Sequence, residues 1–86
     1  MKLAPWAFLR GCIRSDGCAF INRTGPYEYL SYEFSNYSKD IVDLFVSTCD
    51  QVGVATRVNR FRRRWSVRIN QRASVALMLE HVGKKT

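Results

Sequence analysis

Residues 38–53 show the clearest helical periodicity in the chain. Apolar side chains and one threonine recur there at intervals of three and four, at positions Ile41, Leu44, Phe45, Thr48, Cys49 and Val52. This spacing places them on one side of a helix, which then has an apolar face to bury. Ser38 is a favourable N-cap, Asp40 suits the positive first turn, and Gly53 suits the helix end. The rest of the chain must therefore supply a surface that covers this amphipathic helix.

A β-hairpin is predicted on each side of this helix. On its N-terminal side, CAFINRT and YEYLSYEFS are separated by Gly25-Pro26, which is a turn signal. On its C-terminal side, VATRVN and RWSVRIN are separated by a basic turn, Arg60 to Arg64. Apolar and polar residues alternate along these segments, as in strands with one buried face. The apolar faces carry Leu30, Tyr32 and Phe34 in the first hairpin, and Val54, Thr56, Val58, Trp65, Val67 and Ile69 in the second.

Two further helices are predicted at the ends of the chain. Pro5 can begin the first helix and Gly17 can end it. Its apolar stripe consists of Trp6, Leu9 and Ile13, broadened by Phe8 and Cys12, and a second face consists of the small residues Ala7, Gly11 and Ser15. We therefore expect neighbours to contact this helix on two sides. Asn70 can cap a last helix, RASVALMLEHV, which Gly83 can end.

The order of the elements, αββαββα, predicts an α+β fold. The four strands can form one antiparallel sheet with the helices on one face, and residues 1–86 are expected to form this single module. The other face of the sheet then stays open and polar. Its members are Asn22, Tyr29, Ser31, Glu33, Ser35, Arg57, Asn59, Ser66 and Arg68. A saddle-shaped sheet with this polar face suits the major groove of DNA, which admits β-strands and is read by Arg and Asn side chains.

Positive charge is concentrated in the C-terminal part of the chain. Residues 1–53 contain five Lys or Arg and six Asp or Glu, whereas residues 54–86 contain nine Lys or Arg and Glu80 as the only acid. This asymmetry indicates an anionic partner, with nucleic acid preferred over a membrane surface. No apolar run is long enough for a signal peptide or a membrane span. Three cysteines without a CxxC pair, with one histidine, favour neither a zinc site nor a secreted disulfide scaffold, so we expect an intracellular protein.

The stretch LRGCIRSDG, residues 9–17, resembles the LAGLIDADG motif of the homing endonuclease family. The residues that coincide with letters of the motif are Leu9, Gly11, Ile13, Asp16 and Gly17. The core module of that family is also αββαββα, with the motif in its first helix, so the resemblance covers about residues 5–83. It implies a metal-dependent endonuclease that binds double-stranded DNA and cuts both strands, without a small-molecule substrate.

The resemblance also implies roles for individual residues. Two motif helices of the family lie side by side, and each ends in an acid that holds divalent metal, usually Mg²⁺, at the scissile phosphates. Asp16 takes this position here, and the backbone carbonyl of Ser15 is a further candidate ligand. Arg68 lies near the position of an active-site lysine, Ser38 lies near that of a water-ordering glutamine, and Arg14 replaces the first acidic letter.

One aspartate cannot build a site for two or more shared metal ions. The resemblance therefore implies a homodimer, or a second LAGLIDADG repeat in a longer protein. Helices that pack closely side by side need small residues at their contact. The candidate interface residues are Ala7, Gly11 and Ser15.

For DNA contact, we expect the polar sheet face to act together with the arginines of the basic turn. The turn adds Arg60, Arg62, Arg63 and Arg64, which suit phosphate contacts. Arg57 and Arg68 suit either phosphate or guanine. Three other hypotheses remain: a DNA-binding or transcription-regulatory derivative that does not cut, an RNA maturase-like splicing factor, and a structural interaction domain. In the last of these, Asp16 would be an ordinary turn residue.

Overall fold

The computed structural model describes residues 4–83, which form three helices and four strands. In chain order they are α1 (Pro5–Asp16), β1 (Gly17–Thr24), β2 (Tyr27–Asn36), α2 (Lys39–Gln51), β3 (Arg57–Phe61), β4 (Arg64–Ile69) and α3 (Arg72–His81). The predicted order αββαββα is confirmed. None of the helices in residues 4–83 is both long and apolar enough to cross a membrane. Three of the basic residues, Lys2, Lys84 and Lys85, lie outside the described range.

The four strands form one antiparallel sheet in the order β1-β2-β4-β3. The pairing of β2 with β4 joins the two hairpins, so these two strands occupy the centre. Tyr32 and Phe34 of β2 and Val67 and Ile69 of β4 are buried beneath the helices. The Tyr32 hydroxyl donates a hydrogen bond to the carbonyl oxygen of Gly83 at 2.9 Å, which ties the sheet to the end of α3. The predicted four-stranded sheet with helices on one face is confirmed.

α2 is capped as predicted, but its buried face is rotated from the predicted one. The Ser38 hydroxyl accepts a hydrogen bond from the N–H of Ile41 at 3.5 Å. The side chains of α2 buried against the sheet are Val42, Phe45, Thr48 and Cys49. Ile41 and Leu44 keep 40% and 52% of their surface exposed, so their predicted place in the core is wrong. The apolar stripe of α2 is wider than the surface it covers, and spacing alone does not show which edge meets the sheet.

The second hairpin is shorter and tighter than the sequence pattern predicts. β3 begins at Arg57, and the turn consists of Arg62 and Arg63 alone. Arg62 has a φ of 60°, which is a left-handed conformation. Every residue of β3 is exposed because the strand lies at the edge of the sheet, so the prediction that Val58 belongs to the core is wrong.

The N-cap of α3 lies one residue later than predicted. Gln71 is the N-cap residue and its side chain makes no capping hydrogen bond, so the prediction that Asn70 caps this helix is wrong. Gly83 follows the helix with a φ of 82°, a left-handed conformation that glycine adopts without steric cost, and this confirms the predicted helix end.

Candidate nucleic-acid interface

The sheet face opposite the helices is built from alternate residues of all four strands. The pairing register places Cys18, Glu33, Arg68 and Arg57 in one row across β1, β2, β4 and β3. The next row towards the β3–β4 turn consists of Ser35, Ser66 and Asn59, and the row after it pairs Arg64 with Phe61. Directly opposed residues of antiparallel strands project to the same side, so these side chains form one continuous surface, called here the open face. It brings together polar residues of both hairpins.

Positive charge predominates at the centre of the open face. Arg57 lies directly opposite Arg68, although like charges at opposed positions destabilise an antiparallel pair. Glu33 flanks Arg68 on its other side, with Arg68 Nη2 and Glu33 Oε1 3.9 Å apart. The Arg68 guanidinium also lies 5.4 Å from the ring centroid of Phe20, which is a cation–π distance. Glu33 offsets one charge of the arginine pair, and an anionic ligand such as phosphate would relieve the remaining repulsion.

Predicted contact residues near the β1–β2 turn differ in exposure. Tyr29 keeps 42% of its surface exposed, whereas Ser31 is fully buried although it lies in the same strand and on the same face. The side-chain amide of Asn22 donates a hydrogen bond to the Ser31 hydroxyl. The prediction that Ser31 contacts DNA directly does not fit its burial, because its hydroxyl supports Asn22 instead of facing solvent.

Arg60 lies on the helix side of the sheet, away from the other arginines of its hairpin. It is paired with Trp65, and its guanidinium carbon is 4.9 Å from the centroid of that ring. Its Nε donates a hydrogen bond to the carbonyl oxygen of Arg62 at 3.2 Å. The prediction that Arg60 belongs to the turn is wrong, because β3 continues through it and strand residues alternate in direction. Arg63 and Arg64 are exposed at the end of the hairpin.

Gly17 lets α1 run directly into β1 and so positions Asp16, the last helical residue. Gly17 is buried, and a Cβ there would lie 2.8 Å from the Cα of Ile13 and 3.0 Å from the carbonyl oxygen of Glu33. Glycine is therefore required by close approach of the backbone. Gly17 is the C-cap of α1, so the predicted helix end is confirmed, and its φ of −116° and ψ of 175° are extended. The exposed Asp16 side chain is held at the end of the sheet where β2 finishes.

Asn36, the last residue of β2, contacts Asp16 and was not predicted from the sequence. Its Nδ2 donates a hydrogen bond to Asp16 Oδ2 at 3.2 Å, and its Oδ1 accepts one from the N–H of Ser38 at 2.8 Å. The amide is thus oriented from both ends. Ser38 uses its hydroxyl to cap α2, so the side chain that touches the carboxylate from this connection is Asn36. A sequence signal was present, because Asn36 is the polar residue that ends the alternation of Tyr32 and Phe34 on the helix side.

The oxygen atoms at the end of α1 fit a hard divalent cation. Asp16 supplies a carboxylate and Ser15 a backbone carbonyl, and both residues are exposed. Carboxylate and carbonyl oxygens are the ligands that Mg²⁺ prefers in proteins. The Ser15 hydroxyl donates to the Cys12 carbonyl oxygen at 3.3 Å, so the side chain of Ser15 is directed back along the helix. Residues 15 and 16 thus offer at least two donors of the right chemistry.

The small residues of α1 lie on an exposed face. Ala7, Gly11 and Ser15 are exposed, and they line a shallow cavity of about 350 Å³ together with Ile41 of α2. A Cβ added at Gly11 would meet nothing within 4 Å, so no contact among residues 4–83 requires glycine there. The face is therefore open to another helix.

Two thiols lie beneath this region. Burial raises the pKa of Cys12, and the negative charge of Asp16 raises it further. Burial, with a smaller contribution from Cys12, raises the pKa of Cys49 to about 12. Both thiols are therefore neutral near neutral pH and are poor nucleophiles, which agrees with a packing role.

No protein-family model matches the chain, and no curated protein matches its sequence. Solved structures do match it. The LAGLIDADG meganuclease I-AabMI, bound to uncleaved DNA, aligns with a TM-score of 0.70 and 19% identity over 93% of this chain and 29% of its own. The N-terminal LAGLIDADG domain of DUF199/WhiA aligns with a TM-score of 0.69 and 19% identity over 95% of this chain and 40% of its own. The chain has the LAGLIDADG fold.

A third structure of the LAGLIDADG fold, I-DmoI in complex with DNA and Mn, aligns with a TM-score of 0.60 and 19% identity over 91% of this chain and 50% of its own. The similarity at these identities is one of fold. The chain spans less than two thirds of the length of each of these three proteins. Within the LAGLIDADG fold of this chain, residues 9–17 form the second part of α1 and the first residue of β1.

Proposed function

We propose that this chain is a DNA-binding LAGLIDADG module which, paired with a second module, cleaves a specific duplex site with the help of divalent metal ions. The observation that carries the proposal is the position of Asp16. Its exposed carboxylate lies at the end of a sheet whose open face presents Arg57, Arg64 and Arg68. Arginines would neutralise a phosphate backbone laid on this face, and the carboxylate would remain at its edge.

The dimensions and side chains of the open face support double-stranded DNA as the ligand. β2 contains ten residues. At about 3.3 Å per residue it is about 33 Å long, close to the roughly 34 Å of one turn of B-DNA. Arg57, Asn59 and Arg68 have the donors that read guanine and adenine edges in the major groove. The sheet can therefore follow a groove over about one turn and contact both phosphates and bases.

Pairing is supported by the exposed face of α1. Ala7, Gly11 and Ser15 would allow a second helix to approach closely, and the exposed apolar side chains of Ile41 and Leu44 lie on the neighbouring helix. Within residues 4–83, no three His, Cys, Asp or Glu side chains are grouped as a metal site. Pairing with a second copy or a second LAGLIDADG repeat would bring two acidic helix ends together, which one chain does not do by itself.

The residues at the end of α1 have distinct tasks in this proposal. Asp16 and the Ser15 carbonyl would hold Mg²⁺, which when bound polarises a phosphate and lowers the pKa of water. Asn36 orients the Asp16 carboxylate through its side-chain amide. Arg68 keeps a positive charge on the open face for the phosphate but cannot shuttle a proton, because its guanidinium stays protonated.

The contacts of Arg68 favour a second candidate function, DNA binding without cleavage. The Glu33 carboxylate, 3.9 Å away, and the ring of Phe20 orient the guanidinium on the open face, where it can contact a phosphate but cannot transfer a proton. The two candidates share the open face and differ only in what Asp16 does. A substitution of Asp16 therefore separates them.

The test begins with selection of a bound duplex from a randomised library, followed by nicking assays with Mg²⁺ or Mn²⁺. We expect Asp16→Asn to abolish metal-dependent nicking while DNA affinity changes by less than about twofold, since no open-face arginine is altered. Asp50→Asn, at an exposed position in α2, is the matched control and should cut normally.

The outcomes distinguish the hypotheses. If the wild type and Asp16→Asn both bind the duplex and neither nicks it, the non-cutting derivative is favoured. Nicking that survives in Asp16→Asn would remove Asp16 from the chemistry. Absence of duplex binding at low salt would reject the whole proposal, and stronger binding to structured RNA would favour the maturase-like hypothesis.

A further inference from the structure

The end of the β3–β4 hairpin combines exposed aromatic rings with arginines. Tyr37 and Phe61 keep 73% and 68% of their surface exposed. Together with Arg62, Arg63 and Arg64 they line a cavity of about 450 Å³, within the range of roughly 300–1,000 Å³ typical of ligand clefts. Single exposed apolar side chains are ordinary on protein surfaces. Two rings that line one cavity among three arginines form a cluster, and such a cluster indicates a binding site.

The strand register explains how these residues meet. Phe61 is paired with Arg64, and Asn36 is paired with Trp65, the next residue of β4. Tyr37 follows Asn36 and so lies one position beyond the last β2–β4 pair, beside Arg64. The guanidinium of Arg62 lies 5.5 Å from the Phe61 ring centroid, which leaves its charge next to an aromatic face. These five residues are called here the hairpin-end cavity.

The chemistry of the hairpin-end cavity matches an unpaired nucleotide. Base faces inside a duplex are covered by neighbouring bases, so aromatic side chains can stack only on bases that are unpaired or unstacked. Proteins that bind single strands combine such rings with arginines that contact the phosphates. An acidic peptide would use the arginines but would leave both rings without a planar partner.

The cavity also lies at the Asp16 end of the sheet. Asn36 hydrogen-bonds to Asp16, and Tyr37 is the next residue along the chain. The β3–β4 turn joins β4, the neighbour of β2, to β3, so it lies one to two strand spacings, or about 5–10 Å, from β2. A nucleotide held there would therefore be close to the position at which the proposed function places the cut strand.

We infer that the hairpin-end cavity binds a nucleobase that has left the duplex stack, which stacks against the rings of Tyr37 and Phe61 with its phosphate on the arginines of the cavity. This inference rests on the proposed binding of DNA and adds a site for unpaired DNA to it. It differs from the expectation that the turn arginines contact only duplex phosphates.

The test compares a fluorescent twelve-nucleotide oligothymidine with a mixed-sequence duplex, by fluorescence anisotropy at low salt. Tyr37→Ala and Phe61→Ala should each weaken single-strand binding by about five- to 150-fold, the usual effect of losing one stacking partner, with duplex affinity changed by less than about twofold. A 2-aminopurine base within the oligothymidine should be quenched by the wild type and by Phe61→Trp, but not by Phe61→Ala.

Tyr27→Ala is the matched control, because Tyr27 is equally exposed at 72% but belongs to the β1–β2 turn end of the sheet. It should leave single-strand binding unchanged. The inference is overturned if the ring variants weaken duplex and single-strand binding equally, or if only Arg63→Ala weakens single-strand binding. Displacement of the oligothymidine by poly-glutamate at equal charge would also overturn it.

The wild type separates this inference from the proposed function. If it binds the duplex but not oligothymidine, the inference fails and the proposed function stands. If it binds oligothymidine but not the duplex, the cavity stands and the duplex proposal fails. If it binds neither, both are rejected.

Discussion

Asn36 Nδ2 donates a hydrogen bond to Asp16 Oδ2 over 3.2 Å, and this contact joins the end of β2 to the end of α1. The same amide accepts a hydrogen bond from the N–H of Ser38, so its orientation is set before any ligand binds. The carboxylate proposed to hold metal is therefore positioned by a neighbouring strand as well as by its own helix.

Substitution of Asn36 tests this positioning. Asn36→Ala removes the amide that donates to Asp16 and adds no new carboxylate beside the proposed metal ligand. We expect metal-dependent nicking, and the apparent affinity for Mg²⁺, to fall by about 10- to 100-fold, as is usual when the partner of a metal ligand is lost. A metal titration of nicking measures this, with thermal unfolding as the control for folding. An unchanged metal titration would show that Asn36 does not position the carboxylate.

Gly17→Ala should destabilise the fold by about 1–3 kcal/mol, the usual cost of overpacking. The added Cβ would meet backbone atoms of Ile13 and Glu33, which cannot move without shifting α1 from the sheet. Gly11→Ala is the matched control in the same helix, where a Cβ meets nothing within 4 Å. It should stabilise the monomer by up to about 1 kcal/mol because alanine favours helix over glycine. Urea unfolding of both variants measures the difference, and equal effects would contradict the close approach at residue 17.

Gly11→Leu should dissociate a paired module without unfolding it. A Cβ at residue 11 meets nothing within 4 Å and leucine favours helix over glycine, but a leucine side chain would separate two α1 helices that meet at this face. Sedimentation velocity should show a monomer for the variant where the wild type is a dimer, while the variant unfolds at an equal or higher temperature. If the wild type is a dimer and Gly11→Leu is still a dimer, the interface lies elsewhere.

Arg62→Gly should stabilise the protein by up to about 1 kcal/mol, because a left-handed conformation costs an L-residue about that much. Arg62 holds a φ of 60° in the turn. The same change should weaken DNA binding. It should also lower the slope of log affinity against log salt concentration by about 1, which corresponds to one lost phosphate contact. Arg63→Gly removes the same charge without relieving a positive φ, so it should weaken binding without the gain in stability. Similar unfolding midpoints for the two variants would contradict this.

Stability should fall in alkali because of Cys49. Burial raises the pKa of the Cys49 thiol to about 12, above its ordinary value of 9.0. Below the ordinary value the thiol is protonated in both states, so its contribution is complete. As pH rises from about 9 towards about 12, only the unfolded chain loses the proton, and unfolding becomes easier by about 1.4 kcal/mol per pH unit. Urea unfolding between pH 7 and about 10.5 measures the slope, which should be smaller in Cys49→Ala.

Much of the local structure follows from residue order. The alternation of YEYLSYEFS and RWSVRIN identifies two strands and their buried faces, because the strand period of two is independent of the partner strand. α2 and its cap at Ser38 follow from spacing and from the hydroxyl of that residue. The first and last residues of the elements are harder to predict from the sequence. β3 begins at Arg57, since no neighbouring strand pairs with residues 54–56.

Only part of the candidate site could be predicted from the sequence. Asp16 was found through the motif, and the arginines on β3 and β4 were found through alternation. Asn36 was missed because it lies twenty residues from Asp16 and meets it only when β1 and β2 pair. Arg60 was misplaced because the length of a hairpin turn depends on pairing, which a run of arginines does not reveal.

The sequence by itself determined the seven elements, because a helix or strand depends on contacts between residues a few positions apart. The order of the elements and the distribution of charge follow directly from the order of the residues. Only the tertiary structure decided the strand order β1-β2-β4-β3, the close approach at Gly17, the contact of Asn36 with Asp16, and the cavity that Tyr37 and Phe61 both line. These depend on which surfaces pack together. Packing is governed by shape and burial across the whole chain, so local periodicity does not predict which surfaces meet.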